Sequence, residues 1–239
     1  MNASEGEIMA YTHEQMLEKM QVASQEMNTF YLQAFINYQG NEKGIGKAKG
    51  LAYGEDIADY LLNSLSLFDS IPVITRTLSY KTKGHDGITE NPDSNRAEER
   101  IALGMFGNEY ENIGKIIDYQ TPLKNAHADK HIGKIDLLTE TENEIWLIEV
   151  KKYDSEETLL RCILEAYTNF KTVDADKLKL DFELDQQKPL RCAAIVFRDQ
   201  EQHESYQKPN SSVRKLMDTL DIHLFVIAKE NKEYLVDKA

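Results

Sequence analysis

Asp136, Glu149 and Lys151 are the residues of this 239-residue chain whose types and spacing suit chemistry best. They lie in Gly133–Lys152, GKIDLLTETENEIWLIEVKK. Lys134-Ile135-Asp136-Leu137-Leu138 is short and β-rich, Thr139 to Glu144 is polar, and Ile145 to Lys151 is again apolar and β-branched, so the segment predicts two strands joined by a turn. Side chains alternate across a strand, which sets Glu149 and Lys151 on one face and Ile148 and Val150 on the other. Pairing through the turn brings Asp136 beside Glu149. Two carboxylates and an ammonium then converge at the edge of an apolar sheet, where isolated carboxylates are unfavourable unless a cation neutralises them. A hard divalent ion held by oxygen ligands is the simplest resolution.

Asp136, twelve intervening residues and Glu149-Val150-Lys151 resemble the D…(D/E)-x-K core of the PD-(D/E)XK, or restriction-endonuclease-like, nucleases. Gly133-Lys134-Ile135-Asp136 resembles the G-x-x-D variant of its first half, with Ile135 where the motif's proline would stand. The resemblance implies Mg²⁺ (or Mn²⁺) held by Asp136, Glu149 and the backbone carbonyl of Val150, with Lys151 stabilising the attacking hydroxide or the charge building on the phosphate. It implies a further acid from the preceding helix; Glu98 shares a face with Ile101, Ala102 and Met105 and is preferred over Glu99. On the helix after the second motif strand it implies a glutamine or a basic residue. No glutamine stands there, and Arg161 is assigned contact with a phosphate, although Arg161 and Glu165, at i, i+4, can also pair with each other. Lys152 faces the other way on the strand and is left out of the site.

These residues need a scaffold. From Ser94 onward the pattern reads helix (about 95–108), strand (114–122), the two motif strands, helix (155–173), strand (191–197), helix (211–220) and strand (222–228). The predicted fold is α/β: a restriction-endonuclease-like αβββαβ core with a mixed central sheet flanked by helices, plus a helical N-terminal region. Residues 94–239 form the nuclease-like domain and residues 1–93 a mostly helical region of unknown role, which could serve recognition, dimerisation or cover for the sheet. In that region a stripe from Met16 to Phe35 predicts a helix over about 12–38, a second helix is expected over 51–65, and Asp69 to Tyr80 reads as a strand-containing connection.

Composition bounds the function. With 41% hydrophobic and 29% charged residues the chain reads as globular, and no apolar run approaches a membrane span. The N-terminus lacks the pattern of a secretion signal, and Cys162 and Cys192 sit in apolar segments as two expected buried thiols, so a cytoplasmic location is expected. The net charge is −13; residues 1–93 hold 7 basic and 13 acidic residues, the remainder 21 and 28, so neither part is a basic module. Nonspecific coating of nucleic acid is thereby disfavoured, and weak binding without divalent metal is predicted.

Other motifs carry less. Gly40 to Gly50 has the glycines and lysines of a phosphate cradle, but Lys47 is followed by Ala48, not Ser or Thr, and the stretch reads as a linker. His127 and His131 have the spacing of a helical zinc pair yet lie in an expected hairpin loop. The leading expectation is therefore Mg²⁺-dependent hydrolysis of nucleic-acid phosphodiesters, DNA before RNA, with no membrane partner and a homodimer as an option. The alternative is a noncatalytic nuclease-fold protein that binds a protein partner.

Overall fold

A computed structural model of the protein describes residues 10–43, 52–82, 85, 96–125, 132–231 and 233–239. His127, His131 and most of the linker expected over 40–50 lie outside these. A seven-stranded mixed sheet forms the centre, its strands side by side in chain order. Among the described residues, the N-terminal helices α1 (His13–Ala23), α2 (Met27–Phe30) and α3 (Tyr53–Leu62) come first, followed by α4 (Ala97–Met105). Then come β1 (Glu109–Tyr110), β2 (Gly114–Pro122), β3 (Lys134–Glu140) and β4 (Ile145–Val150), paired antiparallel. After α5 (Leu159–Thr172) and α6 (Ala175–Asp181), β5 (Leu190–Phe197) lies parallel to β4. After α7 (Glu201–Gln207) and α8 (Ser212–Leu220), β6 (Ile222–Glu230) lies parallel to β5, and β7 (Glu233–Lys238) closes the sheet antiparallel.

Alternation along β4 divides the core. Trp146, Ile148 and Val150 pack with Leu137 against Ile101, Ala102 and Met105 of α4. Ile145 and Leu147 pack with Leu138 on the opposite face, beside α6. Farther along that face, α5 and α8 share one apolar cluster with Met16, Met20, Phe30, Ile57 and Leu61 of the N-terminal helices. At roughly 1.5–3 kcal/mol for each fully buried large apolar side chain, this shared cluster holds the N-terminal region firmly to the sheet.

Some elements depart from the sequence reading. The expected helix over 12–38 breaks into α1, a 3₁₀ turn (Ser24–Glu26), α2 and a second 3₁₀ turn (Ala34–Asn37), while Met16, Met20, Met27, Phe30 and Phe35 remain inside. The Ser24 and Thr29 hydroxyls donate to the carbonyls of Gln21 and Glu26, a local bonding that competes with a continuous helix. No strand forms over 69–80; its sheet-like pairing is a single bridge from Ile74 to Val173. The sequence reading gave no place to β1, α6, α7 or β7. Both cysteines are free and buried, as expected. Among the described residues no helix is long and apolar enough to cross a membrane.

Candidate metal and phosphate site

The β3–β4 pairing runs Glu140↔Ile145 to Leu137↔Ile148, so Asp136 and Glu149 are the next residues facing each other across the ladder. Directly opposed antiparallel residues share a face, here the one covered by α5. The Lys151 N–H donates to the Ile195 carbonyl (2.9 Å), which extends the line of β4 one residue and keeps the lysine on the side of Glu149. All three side chains are buried.

Each carboxylate is oriented by neighbours. Asp136 accepts from the Val150 backbone N–H through Oδ2 (2.8 Å) and from the Gln120 amide through Oδ1. Gln120 lies across the ladder from Asp136 on β2, with its backbone in the left-handed region (φ 51°). Glu149 Oε1 accepts from Lys151 Nζ (3.0 Å), and the Asn169 amide on α5 lies 3.5 Å from Oε2 while donating to the Lys134 carbonyl at 3.2 Å. Gly133 makes this approach of β3 to α5 possible, because a Cβ there would lie 2.9 Å from Asn169 Oδ1.

Lys151 is the hub. Its ammonium lies 3.0 Å from Glu149, 2.7 Å from Glu157 and 2.9 Å from Glu165. Glu157 also binds Arg161 (2.8 Å), whose guanidinium donates to the Tyr31 carbonyl (3.1 Å). Arg161 is thus engaged by Glu157 and the N-terminal region, not by Glu165 as the i, i+4 spacing suggested.

The charges respond to burial. Desolvation raises Asp136 to about 7, against the pull of the Val150 N–H and Lys151. Burial, then the neighbouring Asp136, lift Glu149 well above the usual carboxylate range. Desolvation disfavours the Lys151 ammonium, but Glu149 and Glu165 outweigh it and hold the lysine well above its ordinary value. For Glu157, burial pushes upward but Lys151 and Arg161 win, so it stays below the usual range.

A cleft of about 520 Å³ opens beside these groups, lined in part by Asn37, Glu98, Gln120, Asp136, Lys152 and Glu157. Glu98, on the first turn of α4, accepts from the Lys152 backbone N–H and is raised above its ordinary value by burial. The structure therefore brings Glu98, Asp136, Glu149 and Lys151 to one end of the sheet. Asp136 and Glu98 face the cleft, while Glu149 and Lys151 are not among its lining residues. Asn37 brings the N-terminal region to the wall, supported by the Thr158 N–H donating to its side chain (3.2 Å).

Gln120, Glu157 and Asn169 complete the surroundings and were not singled out from sequence; Lys152, left out of the site because it faces the other way on the strand, lines the cleft nonetheless. Two left a signal. Gln120 follows from carrying the meander register one strand back, and Asn169 stands one turn beyond Glu165 on an otherwise apolar helix face. Glu157 left none: the sequence reads it inside a helix over 155–173, whereas α5 starts at Leu159 and leaves Glu157 in the loop before its Thr158 N-cap.

Five acids (Glu98, Asp136, Glu149, Glu157, Glu165) meet Lys151 and Arg161 in partly or fully buried surroundings. Unbalanced buried negative charge held on oxygen suits a hard divalent cation. Compared with protein-family models, curated proteins and solved structures, the chain has no match.

Proposed function

We propose that the chain is a metal-dependent nuclease that hydrolyses phosphodiester bonds of nucleic acid, DNA in the first instance, on a core of the PD-(D/E)XK kind. The observation that carries the reading is the convergence of Asp136, Glu149 and Lys151 at one sheet end beside an open cleft. The order helix, antiparallel three-stranded meander, helix, parallel strand (α4, β2–β4, α5, β5) supports it further.

Asp136, Glu149 and the Val150 carbonyl are the groups to hold Mg²⁺ or Mn²⁺. When bound, such an ion supplies positive charge for the phosphoryl oxygens and acidifies a water. The chain's own residues set the stage. Val150 N–H and Gln120 fix the Asp136 carboxylate, and Asn169 steadies Glu149. Lys151 offers its ammonium to the charge that builds on the phosphate, releasing part of its hold on Glu157 or Glu165 to do so. Glu98, raised by burial and facing the cleft, is placed to accept a proton.

The test is a panel of duplex, single-stranded and branched DNA, with RNA, incubated with Mg²⁺ or Mn²⁺. Cleavage is expected; Asp136→Ala should abolish both metal binding and cleavage, and Lys151→Ala should lose cleavage while largely sparing metal affinity. One observation favours a second reading, a noncatalytic protein that binds a basic partner: Glu98, Glu99, Glu156 and Glu157 all line the cleft. Neither cleavage nor metal binding anywhere in the panel would select that reading.

A further inference from the structure

Away from the sheet end, three side chains from separate segments converge. His13 is the first residue of α1, Asp56 lies in the first turn of α3, and Glu42 follows the bridge between Asn41 and Ala52. His13 Nδ1 lies 2.8 Å from Asp56 Oδ1 and 3.5 Å from Glu42 Oε1, and one ligand atom from each residue falls within 4.8 Å of the other two. Asp56 is 3% exposed and Glu42 8%. Yet Asp56 Oδ2 and Glu42 Oε1 are buried with no hydrogen-bond partner. Among the described residues, His13 is the one cationic side chain in ion-pair reach of either carboxylate. An unpartnered buried carboxylate oxygen costs more free energy than almost any other polar group, so two beside one imidazole call for a cation.

We propose that His13, Glu42 and Asp56 form a binding site for a divalent transition ion, Zn²⁺ being the best fit. Imidazole nitrogen with two carboxylate oxygens suits zinc, whereas Mg²⁺ is served by oxygen alone. Tetrahedral bonds of about 2.1 Å set ligand atoms about 3.4 Å apart, inside the range seen here. Contacts that do not use the ligand atoms pre-organise the three segments. The Lys43 N–H donates to the Tyr11 carbonyl (2.7 Å), the Tyr11 N–H to the Tyr53 hydroxyl (2.6 Å), and the Tyr53 N–H to the Gly40 carbonyl (3.1 Å). The His13 side chain is 58% exposed, so the site opens on that side and leaves a fourth position for water. Three protein ligands and one open position make a zinc site that can exchange ligands while tying α1, α3 and the 40–43 segment together.

The site is independent of the nuclease reading, and the test keeps them apart. The full chain carrying Asp136→Asn and Glu149→Gln, stripped with a chelator, is titrated with Zn²⁺ against a chromophoric indicator, with Co²⁺ absorption reporting coordination. One equivalent is expected to bind in the presence of excess Mg²⁺ and to raise Tm. Adding His13→Ala, an exposed change that leaves the fold intact, should weaken binding by more than about tenfold and remove the Tm shift, with Glu42→Gln acting likewise. Absence of a Zn²⁺ equivalent in the Asp136→Asn, Glu149→Gln chain overturns the proposal, as does binding that His13→Ala leaves unchanged.

Discussion

Beside Glu149 a lysine ammonium sits 3.0 Å away and is itself buried; beside Glu42 the cation within ion-pair reach is a histidine whose side chain is more than half exposed. The first cluster carries its own permanent counter-charge. Lys151 gathers Glu149, Glu157 and Glu165 and so holds the end of β4 to α5 with or without a metal. The second has an imidazole that is charged only when protonated, and it leaves two buried oxygens unpaired. The sheet-end cluster holds a permanent cation of its own and yet more acids than cations; the His13 cluster holds no permanent cation at all. Among the described residues, His13, Glu42 and Asp56 also form the one set of three His, Cys, Asp or Glu side chains close enough to hold an ion by themselves. Under the proposed function, Asp136 and Glu149 at the sheet end would draw on the Val150 carbonyl and solvent to complete a coordination shell.

The sharpest break of this comparison is removal of the two cations. Lys151→Ala leaves three carboxylates without their shared partner, and a buried pair broken from one side costs about 3–5 kcal/mol. Urea denaturation in chelator should read a loss of that size, partly restored by Mg²⁺ in a chain that retains Asp136 and Glu149. His13→Ala should cost less than that, because the imidazole is more than half exposed and is charged only when protonated. Equal losses for the two variants would erase the distinction.

pH separates the clusters further. Burial raises Asp136 to about 7, and burial with the nearby Asp56 raises Glu42 to about 7. Both folded values lie above the unfolded carboxyl value near 4, so the folded state binds these protons more tightly. Their contribution is complete below about pH 4 and is lost as pH rises through 7. His13 is raised by Asp56 and loses its contribution in the same direction, as pH climbs past its folded value. The metal-free chain should therefore lose Tm between pH 5 and 8. Asp136→Asn should flatten that slope by on the order of 3 kcal/mol, and Glu42→Gln should flatten it independently, the two effects adding because the sites share no partner. A Tm that rises over this interval would contradict the burial of both acids.

Much of the sheet end was legible before any coordinates. Strand alternation set Glu149 and Lys151 on one face, a polar turn set the pairing that opposes Asp136 to Glu149, and the helical face of α4 pointed to Glu98. Each is a local rule acting over a few residues. What escaped was long-range. Glu157 reaches Lys151 from a loop that read as the start of a helix, Tyr31 offers its carbonyl to Arg161 from 130 residues away, and Asn37 joins the cleft wall through a 3₁₀ turn that read as continuous helix. The His13 cluster was invisible for the same reason: its three ligands stand at separations of 29 and 14 residues and share no motif. Sequence patterns report which face a residue occupies, not which distant segment is folded onto it.

The smallest expected effect concerns how tightly the sheet-end site is positioned. Gly133 has no Cβ, and one built there would press to 2.9 Å of Asn169 Oδ1 and 3.3 Å of Nδ2. That amide holds the Lys134 carbonyl and approaches Glu149 Oε2. Gly133→Ala should push the amide aside, costing about 1 kcal/mol of stability and loosening Glu149, which under the proposed function lowers cleavage a few-fold. In an Asn169→Ala background the obstructing amide is gone, so the same substitution should cost almost nothing, and the cycle should return a coupling of at least about 0.5 kcal/mol. Equal costs in both backgrounds would mean that the backbone at Gly133, not the Asn169 amide, governs how β3 meets α5.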